Sequence, residues 1–112
     1  MSVQHDPPLV LIVDDQEATT RMLERLFVKS GYQAKSVHNG YDALEAAQKL
    51  LPDLILLDVM MPGIDGLEVL SRLRESPVTA GLPTILITAK NEPSDIAHGL
   101  QLGADDYIPK PF

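Results

Sequence analysis

Three short apolar runs, each ending at a polar side chain, constrain the fold of this chain more than any other feature. They are LVLIV at residues 9–13, LILL at residues 54–57 and TILIT at residues 84–88. Each run is too short for a helix and is bounded by turn-forming residues. We therefore predict three strands that are buried on both faces, as in a parallel sheet covered by helices.

Segments with helical spacing separate these runs. Apolar residues three or four positions apart predict helices over residues 17–30, 41–51, 67–75 and 93–102. Gly31 and Pro52 are typical stop signals for the first two. The stripe of the first helix predicted to face the core contains Ala18, Met22, Leu23, Leu26 and Phe27.

Two further segments, 33–37 and 106–110, also have strand length but are more polar than the three apolar runs. Their polarity, and Pro109 in the second, place them at the edges of a sheet. Strands that alternate with helices predict an α/β fold with a doubly wound, five-stranded parallel sheet and helices on both faces. Right-handed crossovers then give the strand order 2-1-3-4-5, which places strands 1 and 3 side by side.

Polar residues follow the strands at one edge of this sheet. Asp14 and Asp15 follow the first strand and Asp58 follows the LILL run, so the three carboxylates are predicted to converge. Carboxylates this close repel unless they bind protons or a cation, and their oxygens favour a hard ion such as Mg²⁺. Thr88 and Lys110 end the fourth and fifth strands, where a hydroxyl and an ammonium group suit phosphoryl oxygens.

Each of these residues has a simpler explanation when taken alone. An aspartate can cap a turn or a helix, Thr88 can be an ordinary strand end, and Lys110 can be a solvated side chain. Their joint position at the same ends of four strands favours a functional site.

Length and charge limit the alternatives. The chain has 112 residues, which we divide into a disordered tail at 1–8 and one domain at 9–112. A net charge of -7 opposes general binding to nucleic acid or anionic membranes. There is no cysteine for a disulfide or a thiolate metal site. No apolar run approaches the roughly 18 residues of a membrane span, so we expect a soluble, cytoplasmic protein.

Four separated motifs occur in a characteristic order. They are LIVDDQ at 11–16, LILLDVMMPGIDGLEVL at 54–70, ILITAK at 85–90 and GADDYIPKPF at 103–112. With these motifs the chain resembles the receiver domain of two-component response regulators, from about Leu9 to its last residue.

The resemblance implies a phosphorylation site. Asp58 would accept a phosphoryl group from a histidine kinase or a histidine phosphotransfer protein. Asp14 and Asp15 would bind Mg²⁺ together with Asp58 and the backbone carbonyl of Met60. Asp15 would be the more direct ligand, with Asp14 acting through water. Such a domain catalyses only its own phosphorylation and dephosphorylation and is not otherwise an enzyme.

The resemblance also implies a conformational switch. Thr88 would turn toward the phosphoryl group, Lys110 would pair with it, and Tyr107 would move between outward and inward positions. The surface around the fourth helix and the fifth strand would change as a result. Met60 and Lys90 would tune the lifetime of the phosphate, and the bond between Lys110 and Pro111 would be cis.

One feature departs from the family pattern. Receiver domains normally continue past the Lys-Pro-Phe motif into a fifth helix beside the first, whereas this chain stops at Phe112. An apolar face left open by the apparently missing helix invites a partner. We therefore expect either self-association through that face or a longer protein of which this chain is a piece.

Two other functions stay open. An aspartate-nucleophile phosphohydrolase usually has a second aspartate two residues after the nucleophile, where this chain has Met60. A non-phosphorylated receiver-like interaction module would lack one or more of the site residues. No nucleotide-binding glycine motif occurs. His5, His38 and His98 are scattered, and we assign them no ligand or phosphodonor role. The cognate kinase, the signal and the output are not encoded in a recognisable motif.

Overall fold

The computed structural model describes residues 5–89 and 93–110. Strands and helices alternate along the chain, in the order β1 (Leu9–Val13), α1 (Glu17–Lys29), β2 (Gln33–Val37), α2 (Gly40–Leu50), β3 (Leu54–Asp58), α3 (Gly66–Glu75), β4 (Thr84–Thr88), α4 (Pro93–Gln101) and β5 (Asp106–Pro109). The predicted alternation is confirmed, and no boundary differs from the prediction by more than one residue.

The five strands form one parallel sheet in the order β2-β1-β3-β4-β5, as predicted. The polar strands β2 and β5 lie at the two edges. The central register aligns Val13 with Leu57, and Asp58 with Ile87. The residues that end the strands therefore lie along one side of the sheet, which we call the carboxyl edge.

Side chains of the central strands alternate between two core layers, because successive residues of a strand point to opposite faces. The layer under α2 and α3 includes Leu11, Val13, Ile55, Leu57 and Leu86. The layer under α1 includes Val10, Ile12, Leu56 and Ile87, together with Leu23 of α1 itself. Burial on both faces explains why these strands read as unbroken apolar runs.

The predicted core-facing stripe of α1 is partly wrong. Leu23 is buried and Phe27 is half-buried, but Met22 and Leu26 are 49% and 57% exposed. Thr20 occupies a core position instead, and its hydroxyl donates a hydrogen bond to the carbonyl of Glu17 over 3.0 Å. A hydroxyl satisfied within its own helix can be buried, and a search for apolar spacing misses such a residue.

The exposed side of α1 forms a groove of about 700 Å³. We call it the α1 groove; its lining is Ala18, Arg21, Met22, Leu23, Arg25, Leu26 and Lys29. Apolar surface was expected to be open on the sheet face beside α1. On this face Ile12 and Ile87 are 0% and 1% exposed, but Ile108 of β5, the register partner of Ile87, is 37% exposed. The exposed apolar surface on this side therefore comes from α1 and from the edge strand β5.

Residues 5–8 lie against the domain. A ring nitrogen of His5 pairs with the carbonyl of Leu50 at 2.8 Å, and the side chain of Gln33 donates to the carbonyl of Pro7 at 2.8 Å. Within the tail predicted over residues 1–8, residues 5–8 thus contact the domain, and residues 1–4 lie outside the described residues.

Candidate functional site

Three carboxylates meet at the carboxyl edge of the sheet. Asp14 and Asp15 follow β1 directly, and Asp58 is the last residue of β3. One oxygen from each lies within 4.8 Å of the others. Asp14 and Asp58 are buried, whereas Asp15 is exposed. The parallel pairing of β1 with β3 thus brings together the acidic residues whose convergence the strand order predicts.

Neither member of the acidic pair caps α1. The N-cap of α1 is Gln16, and its side chain makes no capping hydrogen bond. Asp14 instead accepts the backbone N–H of Gln16 on Oδ1 at 2.9 Å, which leaves Oδ2 directed to another partner. Helix capping therefore does not explain why two aspartates follow β1.

Asp58 is a buried carboxylate with two donors. Its Oδ1 accepts the backbone N–H of Met60 at 3.2 Å, and its Oδ2 lies 3.5 Å from Nζ of Lys110. Burial and the nearby charge of Asp14 raise the pKa of Asp58 from 3.8 to about 6, although Lys110 and the Met60 N–H oppose the shift. The folded protein therefore holds a proton on Asp58 more tightly than the unfolded chain does.

Lys110 is the positive charge of this edge. Its Nζ donates to Oδ2 of Asp14 at 2.8 Å, and its backbone N–H donates to the carbonyl of Thr88 at 2.8 Å. Burial alone would lower the pKa of Lys110, but its hydrogen bond to Asp14 and the negative charges of Asp58 and Asp14 raise it above 10.5. The ammonium group is therefore charged throughout the physiological range.

Thr88 lies on β4, the neighbour of the Asp58 strand, and Tyr107 lies on the edge strand β5. Thr88 ends β4 and is 3% exposed, and its register partner on β5 is Pro109. Tyr107 lies opposite Leu86 and packs, half-buried, against the core layer under α2 and α3. Both residues that the resemblance marks as switch residues thus lie on the β4 and β5 side of the carboxylates.

The loop after β3 is closed by the start of α3. Asp65 is the N-cap of α3 and accepts the backbone N–H of Glu68 at 2.9 Å. The N–H of Gly66 donates to the carbonyl of Val59 at 2.9 Å. Gly66 also lies close to the backbone of Asp58. The sequence marks Gly66 only as a turn signal, and no sequence pattern predicts this contact.

The chemistry of the edge follows from its charges. Three carboxylates face one ammonium group, so the cluster keeps a net negative charge at neutral pH when all are ionised. Its donors are oxygens only, and their spacing could hold a metal ion. No histidine among residues 5–89 and 93–110 joins this group. His38 instead lies 3.2 Å from the hydroxyl of Thr20.

Two predicted features fall outside the described residues. They are the side chain of Lys90 and the bond between Lys110 and Pro111.

A comparison with protein families decides the classification. The family model for the response regulator receiver domain matches residues 10–112. The chain belongs to this family. The fold, the strand order and the position of the acidic residues agree with the resemblance stated above.

Curated relatives match this chain over one part of their length. The transcriptional regulatory protein PcoR of Escherichia coli is 48% identical over 103 residues, which cover 92% of this chain and 45% of PcoR. The alkaline phosphatase synthesis transcriptional regulatory protein PhoP of Bacillus subtilis is 44% identical, over 92% of this chain and 42% of PhoP. The chain thus spans less than half the length of these relatives.

Solved structures share the same architecture. The receiver domain of Francisella response regulator 1452 matches with a TM-score of 0.87 and 31% identity, over 94% of this chain and 85% of that one. The N-terminal domain of a response regulator receiver protein from Methanoculleus marisnigri matches with a TM-score of 0.86 and 34% identity, over 93% and 85%. Within its described residues, this receiver domain has no helix with the length and apolar character that a membrane span requires.

Proposed function

We propose that this receiver domain accepts a phosphoryl group on Asp58 from a histidine kinase or a histidine phosphotransfer protein. The observation that carries the proposal is the cluster at the carboxyl edge. One carboxylate oxygen of Asp58 lies within 4.8 Å of an oxygen of Asp14 and of an oxygen of Asp15. The ammonium nitrogen of Lys110 lies 3.5 Å from Oδ2 of Asp58. A nucleophile, a set of metal ligands and a cation for phosphoryl oxygens thus share one site.

Asp58 is the nucleophile in this proposal. One of its carboxylate oxygens forms a bond to phosphorus, and the bond from phosphorus to the donor nitrogen breaks. The electron pair of that bond goes to the imidazole of the donor, and an acyl phosphate remains on Asp58. With a pKa of about 6, the Asp58 carboxyl group is mostly ionised at pH 7 and can attack.

We infer that the cation held by the acidic group is Mg²⁺, with Asp14, Asp15, Asp58 and the backbone carbonyl of Met60 around it. When bound, the ion supplies neutralisation of charge on the phosphoryl oxygens. The exposure of Asp15 supports its role as a direct ligand. The hydrogen bond from Lys110 to the buried Asp14 supports an indirect role for Asp14, through water.

The phosphorylated state changes the surface of α4 and β5 in this proposal. The ammonium group of Lys110 pairs with the phosphoryl oxygens, Thr88 turns its hydroxyl toward them, and Tyr107 moves inward. The backbone hydrogen bond from Lys110 to Thr88 supports such coupling, because it ties the end of β5 to the end of β4. A new dianion can shift a two-state surface only if it makes contacts in one state that it lacks in the other.

We further propose a cytoplasmic location, where a kinase can deliver the phosphoryl group. The relatives named above are transcriptional regulatory proteins, and more than half of the length of each lies outside the region that matches this chain.

Trapping of the acyl phosphate tests the assignment of Asp58. The protein is incubated with acetyl phosphate and Mg²⁺, reduced with borohydride, and mapped by peptide mass spectrometry. We expect reduction of the Asp58 side chain and no reduction of Asp65, an exposed aspartate in the loop that follows. Modification of another aspartate, with Asp58 intact, would contradict the proposal.

A further inference from the structure

Helices α2 and α3 begin in the same way. Each starts with a buried glycine, Gly40 in α2 and Gly66 in α3. Each glycine follows an N-cap residue, Asn39 or Asp65, whose side-chain oxygen accepts the backbone N–H three residues further on, at 2.8 and 2.9 Å. The two glycines thus have matched local structure, and they differ in what they touch.

A methyl group at Gly40 would meet side chains only. Its Cβ would lie 2.8 Å from Cδ1 of Ile64 and 2.8 Å from Cγ2 of Val69, with Cγ1 of Ile64 closer still. These atoms belong to two β-branched side chains, which would have to shift to make room for the new group. The packing there would change, but no backbone atom stands in the way of the new group.

A methyl group at Gly66 would meet the backbone of the phosphoacceptor strand. Its Cβ would lie 2.9 Å from the carbonyl carbon of Asp58 and 2.8 Å from Cα of Val59, with the Asp58 carbonyl oxygen closer still. Main-chain atoms cannot rotate away. An added Cβ would therefore displace the peptide between Asp58 and Val59, or α3, or both.

Backbone hydrogen bonds hold Val59, the residue that follows Asp58, between β4 and α3. The N–H of Val59 donates to the carbonyl of Ile87 at 2.9 Å, and the carbonyl of Val59 accepts the N–H of Gly66 at 2.9 Å. The next N–H, that of Met60, donates to Oδ1 of Asp58 at 3.2 Å. Displacement of the peptide therefore moves the Asp58 carboxylate and the Met60 backbone relative to each other.

We propose that Gly66 is a positioning residue for the metal site. Because it lacks a Cβ, the first turn of α3 lies directly on the Asp58 peptide and fixes the spacing between the Asp58 carboxylate and the Met60 carbonyl. This inference rests on the proposed function, in which those two groups hold Mg²⁺.

The consequence is selectivity for the small ion. Mg²⁺ requires near-octahedral oxygens at about 2.0–2.1 Å, whereas Ca²⁺ accepts variable geometry at about 2.3–2.6 Å. A displaced loop therefore weakens binding of Mg²⁺ more than binding of Ca²⁺. For Gly66→Ala we expect Mg²⁺ affinity to fall by roughly 10–100-fold, the range for lost support of metal ligands, and Ca²⁺ affinity to fall less.

Calorimetric titration with MgCl₂ and with CaCl₂ tests the inference on the wild type, Gly66→Ala, Gly40→Ala and Gly81→Ala. Gly40→Ala should lose thermal stability but keep the wild-type ratio of the two affinities. Gly81→Ala should change neither, because nothing lies within 4 Å of the added Cβ. A wild-type Mg²⁺ affinity in Gly66→Ala, or an equal loss for both ions, would overturn the inference. A wild type that binds no Mg²⁺ would overturn the proposed metal site and this inference with it.

A second measurement on the wild type does not depend on the folding of the variant. In an NMR titration with Mg²⁺, the amide signals of Gly66 and Met60 should shift with the same apparent Kd, while that of Gly81 stays in place. A Gly66 amide that does not respond, while Met60 does, would show that α3 does not support the site.

Discussion

Nζ of Lys110 lies 2.8 Å from Oδ2 of Asp14, a hydrogen bond between residues 96 positions apart in the chain. The Asp14 side chain is fully buried, and that of Lys110 is 19% exposed. The pair joins the end of β5 to the end of β1 across the carboxyl edge. Loss of the ammonium group would leave a buried carboxylate without its cation, which is costly.

The first prediction concerns this pair. Lys110→Ala should lower the free energy of unfolding by about 3 kcal/mol, because the buried charge of Asp14 loses its partner. The same substitution should raise Mg²⁺ affinity, since the competing cation is gone. Urea unfolding and calorimetric titration measure the two effects.

Lys49→Ala is the control for that experiment. Lys49 pairs with Glu45 at 3.0 Å, but the two side chains are 72% and 67% exposed. Such surface pairs contribute less than about 1 kcal/mol. A loss of the same size in both variants, or lower Mg²⁺ affinity in Lys110→Ala, would contradict the role given to the Lys110 pair.

The second prediction concerns pH. The pKa of Asp58 is about 6 in the folded protein and has an ordinary value of 3.8 in the unfolded chain. The folded state therefore binds this proton more tightly, and the stabilisation present below pH 3.8 is lost as the pH rises through about 6. Asp58→Asn removes the charge and should stabilise the metal-free protein by about 3 kcal/mol at pH 7.5, with little effect near pH 4.

Thermal unfolding in EDTA, at a series of pH values, measures this difference. A stability gain in Asp58→Asn that is the same at pH 4 and pH 7.5 would show that the charge of Asp58 is not its cause.

The third prediction concerns the opposite edge of the sheet. Arg74 donates from Nε and Nη2 to the carbonyl of Gly103, at 3.0 and 2.8 Å, and from Nη1 to that of Leu82 at 2.9 Å. Arg74→Ala should cost about 2–3 kcal/mol, because two carbonyls lose charged donors. Arg74→Lys should restore little, since a lysine lacks the planar fork.

The matched control is Arg72→Ala on the same helix. Arg72 pairs with Glu68 at 3.4 Å where both side chains are almost half exposed, and it lies over the ring of Tyr41. We expect a loss below about 1 kcal/mol. Chemical denaturation measures both variants, and Mg²⁺ affinity should be unchanged in each. Equal losses would show that the fork of Arg74 has no special role.

The fourth prediction concerns self-association. Met22 and Leu26 are 49% and 57% exposed in the α1 groove, and an exposed apolar surface of this kind favours association. We expect the scattering mass of the 112-residue chain to rise with concentration, and less so after Met22→Ser with Leu26→Ser. Val28→Ser, at a 59% exposed position of α1 outside the groove, should leave the association unchanged. A monomeric mass at all concentrations would exclude it.

Much of the fold follows from local patterns. The order of the strands depends on polarity, because the apolar runs at residues 9–13, 54–57 and 84–88 need cover on both faces and the polar runs do not. The convergence of Asp14 and Asp58 then follows from the parallel pairing of β1 with β3.

What the patterns miss depends on contacts between elements. Thr20 is polar, yet it is buried because its hydroxyl bonds to Glu17 and meets His38. Gly66 follows Asp58 by only eight positions, but its contact with the Asp58 peptide requires knowledge of how α3 returns to β3. Apolar spacing along one helix cannot reveal either relationship.

Phosphorylation of Asp58 is the central claim, and intact-mass spectrometry tests it most directly. Wild type and Asp58→Asn are incubated with acetyl phosphate in the presence of Mg²⁺, and again in EDTA. We predict a gain of one phosphoryl group in the wild type with Mg²⁺ only. No gain in the wild type, or an equal gain in Asp58→Asn, would contradict the account and favour a receiver-like interaction module.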